Sequence, residues 1–316
     1  MRPSTSAHLR PYVSGMDKGP VVVIGSINLD TTLEVERLPG PGETVLARAA
    51  RSAIGGKGAN QAVASARQGV ATAFVGLVGP EPTGRELLDA LIDDGVDVSA
   101  CRVAPEAPSG QALITVDGSG ANTIVVAAGA NALLTADDVA LAGRAGVVLT
   151  QLEIPLPAVW AALSTGRDAG ATTVLNPAPA QALDDGLLAL CDVIVPNEHE
   201  AARLTGAPSP SRAAEALGVR SDGATVVVTC GARGAVVWRD GRLSSVPAFR
   251  VDAVDTVAAG DAFCGVLAAS LASGAAIDEA VRRGSAAGAL AATVRGAVPS
   301  LPTGARVDEL LRSAQA

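Results

Sequence analysis

Residues 21–25 (VVVIG) form a short, wholly apolar, β-branched run that stops at a glycine. Such a run reads as a central strand of a sheet covered on both faces, since a strand with one wet face would alternate apolar and polar residues. Similar runs recur at 72–78 (TAFVGLV), 147–152 (VVLTQL), 172–175 (TTVL), 192–195 (DVIV) and 225–229 (TVVVT). Helical patterns lie between them. One covers 58–68. A second covers 83–94, with Leu87, Leu88, Leu91 and Ile92 on one face. A third runs over 260–273, with Phe263, Val266, Leu267 and Leu271 at helical spacing. Strands alternating with helices predict an α/β fold: a doubly wound, mostly parallel sheet flanked by helices.

Two segments break the alternation. Residues 111–127 (QALITVDGSGANTIVVA) carry two β runs around a Gly-containing turn, which predicts a hairpin. Residues 31–52 have no helix signal and carry Pro-Gly punctuation. Both flank the first strand–helix unit. Together they predict a small β-sheet lid, built from about 31–54 and 109–128, on one large domain spanning 21–316. Residues 1–20 have no apolar stretch of the secretory kind and read as a disordered tail, in which Met16 is an alternative start.

The remaining composition excludes several function classes. A net charge of −8 argues against duplex DNA or an anionic membrane as partner. Three Phe, two Trp and one Tyr supply few stacking platforms for single-stranded nucleic acid. No apolar run is long enough to span a bilayer. The four cysteines (Cys101, Cys191, Cys230, Cys264) form no C-x-x-C pair, and only two histidines accompany them, so zinc is not expected. They read as free thiols of a reducing, cytoplasmic setting.

Residues 252–264 read DAVDTVAAGDAFC. A β-like stretch at 249–254 runs into Ala258, Ala259 and Gly260, and then into a helix led by Asp261. Small residues at a helix N-terminus let backbone N–H groups approach an anion, and the helix dipole favours negative charge there. A carboxylate beside such a site is placed to take a proton from an attacking hydroxyl, as phosphoryl transfer to an alcohol requires. Asp261 also suits a plain N-cap. Residues 55–60 (GGKGAN) are not a P-loop, because Lys57 is followed by Gly58 and not by Ser or Thr. Lys57 is still notable, as one of only two lysines in the chain. With Asn60 it offers donors to a polar ligand; the alternative is an ordinary turn with a solvated lysine.

Further polar residues follow the apolar runs. Asn28 and Asp30, after the first run, alternate and so share a face, which suits vicinal hydroxyls or an Asx turn equally well. Glu153 follows 147–152, and Asn197 and Glu200 follow 192–195. An Asn and a Glu there suit the water shell of Mg²⁺, or the capping of the next helix. Residues 229–234 (Thr229, Cys230, Gly231, Ala232, Arg233, Gly234) turn from one strand into another, as a backbone surface for a nucleotide or as a plain hairpin. Polar groups at the carboxyl ends of at least five strands converge as a polar-substrate site requires.

With these motifs in hand, the chain from Val21 to its C-terminal helix resembles the ribokinase (PfkB-type) family of carbohydrate kinases. The resemblance is carried by GSINLD, PGPGET, GGKGANQAVA, AAGAN, QLEIP, LNPAPA, PNEHEA and DTVAAGDAF. It implies an enzyme that phosphorylates D-ribose at the 5-hydroxyl with ATP, with 2-deoxyribose, another sugar or a nucleoside as alternatives within the family. A silent sugar-binding regulator is the alternative outside catalysis. Asp261 is then the base, and the backbone of Ala258, Ala259 and Gly260 the anion hole. Asn28, Asp30, Gly56, Lys57, Gly58, Ala59, Asn60, Glu153 and Asp261 grip the sugar. Asn197, residues 229–234, Gly260, Asp261 and Ser285 meet ATP; Ser285 stands where the family often has His. Glu200 acts on Mg²⁺ through water. Asp255, Val257, Ala291, Val294, Gly296 and Ser300 hold a monovalent cation, usually K⁺. The lids pair in a homodimer.

Overall fold

The computed structural model describes residues 19–314, so the tail expected over 1–20 lies outside the described residues but for its last two. The first half of the chain runs β1 (Val21–Ile24), β2 (Asn28–Glu34), β3 (Ala49–Gly55), α1 (Lys57–Ala66), β4 (Thr72–Val75), β5 (Leu77–Val78), α2 (Pro82–Asp93), β6 (Arg102–Val103), β7 (Gly110–Val116) and β8 (Asn122–Ala127). The second half runs β9 (Val147–Thr150), α3 (Leu156–Asp168), β10 (Thr172–Leu175), α4 (Asp185–Leu188), β11 (Val193–Ile194), α5 (Glu198–Thr205), α6 (Pro210–Arg220) and β12 (Thr225–Thr229). It closes with β13 (Ala235–Arg239), β14 (Arg242–Val246), α7 (Ala259–Ala272), α8 (Ile277–Ala291) and α9 (Gly304–Ser313).

The apolar runs assemble an eight-stranded sheet in the order β14-β13-β12-β11-β10-β9-β1-β4. It is parallel from β4 to β12, and β13 and β14 are antiparallel. Its central strands are buried on both faces. Val21 and Val23 of β1 pack into one cluster with the α1 and α7 side chains, while Val22 and Ile24 face a second cluster that includes α3 and α6. The period-2 pleat sends neighbours to opposite layers, so continuous apolarity is what a doubly covered strand needs.

The segments outside the alternation form a separate four-stranded sheet, β3-β2-β7-β8. β2 pairs parallel with β7 and antiparallel with β3, and β7 pairs antiparallel with β8. All six residues of β8 are exposed, Ile124, Val125 and Val126 among them.

Four local expectations change. Asn28 and Asp30 do not end β1; they begin β2, because the chain leaves the main sheet over 25–27 and enters the small one. The run 72–78 divides at Gly76. β4 is the edge of the main sheet, and β5 leaves it to pair with β6. Residues 249–254 form no strand; they pass from β14 towards α7, tied by the Val254 N–H to the Ala292 carbonyl (2.7 Å). Ile92 is exposed while Leu87 and Leu91 are buried, because α2 turns a narrower face inward than its four apolar residues suggest.

Candidate active site

The carboxyl ends of β1, β9, β10, β11 and β12 converge on the N-termini of α1, α5 and α7. A cleft of about 190 Å³ opens there, lined among others by Lys57, Asn176, Asn197, Glu200, Thr229 and Asp261. The N-terminus of α1 is pressed against the loop after β1. Gly56 takes φ +87°, and a Cβ on it would come within 2.9 Å of the Ser26 carbonyl oxygen, so the turn requires glycine. The Ala59 N–H donates to that carbonyl at 2.9 Å and the Gly58 N–H to Ser26 Oγ at 3.4 Å. These two predicted sugar contacts therefore spend their backbone donors on the protein itself.

Glu153 joins the same corner. Its Oε2 accepts from Ser26 Oγ (2.6 Å) and from the Lys57 N–H (3.0 Å). A carboxylate thus satisfies an orphan donor at the start of α1, where the dipole favours it. The Lys57 ammonium sits among Asp261, Glu153 and Glu200. Burial works against its charge, but these carboxylates outweigh burial and leave its pKa above the ordinary value. The solvated-turn reading of Lys57 is thereby set aside.

Asp261 lies in the first turn of α7 and is buried. Its Oδ2 accepts from Asn60 Nδ2 at 2.9 Å and its Oδ1 from Gln61 Nε2 at 3.0 Å. Burial raises its pKa, against the pull of Lys57, Asn60 and Gln61. Asp261 does not cap α7: no side chain does. Ala258 stands before the helix in the left-handed region at φ +59°, a strain of about 1 kcal/mol or more for a residue with a Cβ. The Ala259 N–H leans towards the Thr256 carbonyl at 3.3 Å, and nothing crowds the Cβ position of Gly260. Polarity and access at this helix end both suit an anion.

Asp30 faces the same space from β2. Its Oδ1 is buried without a hydrogen-bond partner, and its Oδ2 lies where a Cβ on Gly55 would stand, at 1.9 Å. Burial, then Glu153 and Asp261, raise its pKa to about 7 against the pull of Lys57. Asn28 accepts at Oδ1 from Asn131 Nδ2 (2.8 Å). Asn131 also binds the Ile27 N–H (3.0 Å) and carbonyl (3.1 Å). Asn131 thus pins the crossing from the large sheet to the small one.

On the opposite side, Asn197 and Glu200 form a reciprocal capping box on α5, each side chain accepting from the other's backbone N–H at 2.8 Å. The capping reading holds for both, and both also line the cleft. Burial raises the Glu200 pKa, with Asn197 and Lys57 opposing. Thr229 ends β12. Cys230, Gly231 and Ala232 continue as a tight turn to Gly234, and Arg233 pairs with Glu198. Ser285 sits in α8, with its Oγ buried and unpartnered.

Asp255 closes the loops behind α7. Its Oδ1 accepts from the Val257 N–H (3.0 Å) and its Oδ2 from the Gly296 N–H (2.9 Å). The Ala291 carbonyl receives the Val294 N–H (3.1 Å), and Ser300 Oγ donates to the Ala297 carbonyl (2.7 Å). Among the described residues, no three His, Cys, Asp or Glu side chains gather as a metal cage.

Five residues in or behind the site were not singled out from the sequence: Ser26, Gln61, Asn131, Gln151 and Asn176. Each lies inside a quoted motif, but a buried amide carries no one-dimensional mark of its partner.

Four similarities to known proteins bear on this site. A family model described as pfkB family carbohydrate kinase matches residues 18–304. The chain is 39% identical over 302 residues to a ribokinase of Haemophilus influenzae, covering 93% of this chain and 99% of that protein. It is 38% identical over 304 residues to a ribokinase of Staphylococcus aureus, covering 92% and 99%. Among solved structures, Arabidopsis thaliana ribokinase complexed with ribose and ATP superposes with a TM-score of 0.86 at 33% identity, covering 93% and 99%.

Proposed function

This chain belongs to the PfkB family of carbohydrate kinases, and we propose that it transfers the γ-phosphoryl group of ATP to the 5-hydroxyl of D-ribose, giving ribose 5-phosphate and ADP. The observation that carries this reading is a buried, amide-held carboxylate, Asp261, in the first turn of an uncapped helix beside the half-buried Lys57.

Asp261 takes the proton of the 5-hydroxyl, whose oxygen bonds to the γ-phosphorus as the bond to the β–γ bridging oxygen breaks. ADP leaves with that bridging oxygen. The free backbone N–H groups at the start of α7, with Gly260 foremost, receive the charge on the transferring group. Asp30, Asn28 and Asn60 bind the sugar: the unpartnered Asp30 Oδ1 and Asn60 Oδ1 are buried acceptors that hydroxyl groups would satisfy. Lys57 and Glu153 complete that grip. Asn197, residues 229–234 and Ser285 take the nucleotide.

Mg²⁺ fits this donor set, since it keeps most of its waters and needs few protein carboxylates. Glu200 would hold it through water, and the ion would neutralise phosphate charge. A monovalent cation fits the loops that Asp255 clamps, where the carbonyls of Val257, Ala291, Val294 and Gly296, with Ser300, would hold it. The exposed apolar strand β8 supports a homodimer through the small sheets. No described helix is long and apolar enough to cross a membrane. The kinship with ribokinases supports a cytoplasmic enzyme.

The test is ADP release with Mg²⁺-ATP over a sugar panel, with and without K⁺. Turnover on ribose, raised by K⁺, is expected. Preference for 2-deoxyribose or another sugar would replace the substrate and keep the chemistry. Sugar binding with no turnover would leave a silent binder.

A further inference from the structure

We propose that Gln61 is a positioning residue, which fixes the Asp261 carboxylate through a directional chain of buried amides anchored in the main sheet. The proposal rests on the reading of Asp261 as the base.

Gln61 is fully buried in α1. A buried amide is costly unless its groups are paired, and here all are. Its Nε2 donates to Asp261 Oδ1 (3.0 Å) and to Asn176 Oδ1 (3.1 Å), and its Oε1 accepts from Gln151 Nε2 (2.6 Å). The orientation is forced from both ends. Asn176 must turn its Nδ2 to the Val195 carbonyl, which only accepts (2.7 Å). That leaves Asn176 Oδ1 facing Gln61 and demanding a donor. The ionised Asp261 carboxylate, also an acceptor only, demands the same donor. The backbone beyond β11 therefore dictates which way the Gln61 amide points, and the amide dictates how the carboxylate lies.

Two consequences follow. Asn60 and Gln61 grip one carboxylate oxygen each, so the plane of Asp261 is set by α1 and not by its own helix. The donors also favour the ionised form. The groups facing Asp261 are Lys57, Asn60 and Gln61 from α1, Glu153 after β9, Asp30 from β2, Glu200 from α5 and Cys264 from α7. Burial and the three carboxylates oppose ionisation. Lys57 is the one cation among these groups, so the amides carry a substantial share of the compensation.

The experiment compares wild type, Gln61→Met and Asp261→Asn in the full chain. It reads kcat against pH, ribose binding by calorimetry without ATP, and melting temperature. Gln61→Met is expected to bind ribose close to wild type and to lose about 10–100-fold in kcat. The acid limb of kcat should move up by about one pH unit, because a charge-assisted donor is gone. Gln61→Glu, of equal size, sets a second carboxyl against Asp261 and should move the limb further up. It decides by the same readout if Gln61→Met does not fold. An unmoved limb in a folded variant, with or without a fall in kcat, overturns the proposal, because loose packing alone would not shift a titration. Asp261→Asn at full turnover would instead overturn the base assignment. Loss in Asp261→Asn alongside an unmoved limb at Gln61 overturns only the present inference.

Discussion

The two sides of the candidate site are built on opposite terms. On the side proposed for the nucleotide, Asn197 and Glu200 satisfy each other across the start of α5, Arg233 pairs with Glu198, and Ser285 Oγ is left buried without a partner. On the side proposed for the sugar, Asp30 Oδ1 and Asn60 Oδ1 are buried without partners, and at the reacting centre between the two α7 is uncapped and Ala258 holds a left-handed conformation. The side proposed for the nucleotide is, but for Ser285 Oγ, complete as protein structure. The side proposed for the sugar leaves buried acceptors that a ligand would satisfy. Groups that cost stability in the free protein are the ones that gain most on binding, which is how a site trades stability for recognition and catalysis.

Substitutions should respond to this contrast in a set order. The largest loss is expected at Asp261→Asn, where kcat should fall by about 10²–10⁴-fold with ribose binding retained; calorimetry and turnover together separate the two. Next comes Asp30→Asn. It should cost about 10²-fold or more in kcat/KM for ribose, and the loss should shrink on a sugar lacking the hydroxyl that Asp30 accepts.

Asp30 also carries a pH signature. Its pKa is raised from 3.8 to about 7 in the fold, so its stabilising contribution is present below pH 3.8 and lost as pH rises through 7. Without sugar, Asp30→Asn should therefore melt above wild type at pH 8 and alongside it at pH 3. A variant that melts lower at both would remove Asp30 from the unsatisfied half. On the other side, Asn197→Ala removes the α5 cap and should cost about 1 kcal/mol, read by chemical denaturation. The smallest effect is expected at Ala258→Gly, a gain of about 0.5–1 kcal/mol from relieving the left-handed residue. A loss there would mean that the Ala258 side chain packs more than its strain costs.

Much of the fold was legible because it depends on local pattern. Apolar runs such as VVVIG and the three valines of TVVVT can only be doubly covered strands or buried helix, and their length and β-branching decide for strand. The hairpin over 111–127 and the unpatterned 31–52 marked the small sheet. Legibility failed where tertiary pairing sets the outcome. Residues 249–254 have strand composition, yet they pair with no strand and are tied instead to the end of α8 through the Ala292 carbonyl. Asn28 and Asp30 follow β1 within six residues, and only pairing with β3 and β7 assigns them to the second sheet.

The site divides in the same way. Asp261, Lys57 and Asn60 could be named because each carries an unusual residue type beside small residues or glycine. Gln61, Gln151 and Asn176 could not. They stand next to visible motif residues, and an amide reads alike in sequence whether it faces solvent, a backbone or a carboxylate.

The sequence by itself determined the layers, the polar residues after each strand and the small-residue entry to α7, because hydrophobic period and backbone freedom act over a few neighbouring residues. The tertiary structure alone decided which of those polar groups are satisfied. Asp261 meets Asn60 and Gln61 across about 200 positions of chain, and Glu153 caps a helix that begins 96 residues earlier. Whether a buried carboxylate ends up partnered or waiting for a ligand depends on distances between such remote segments, and those are set by packing the sheet and its helices together.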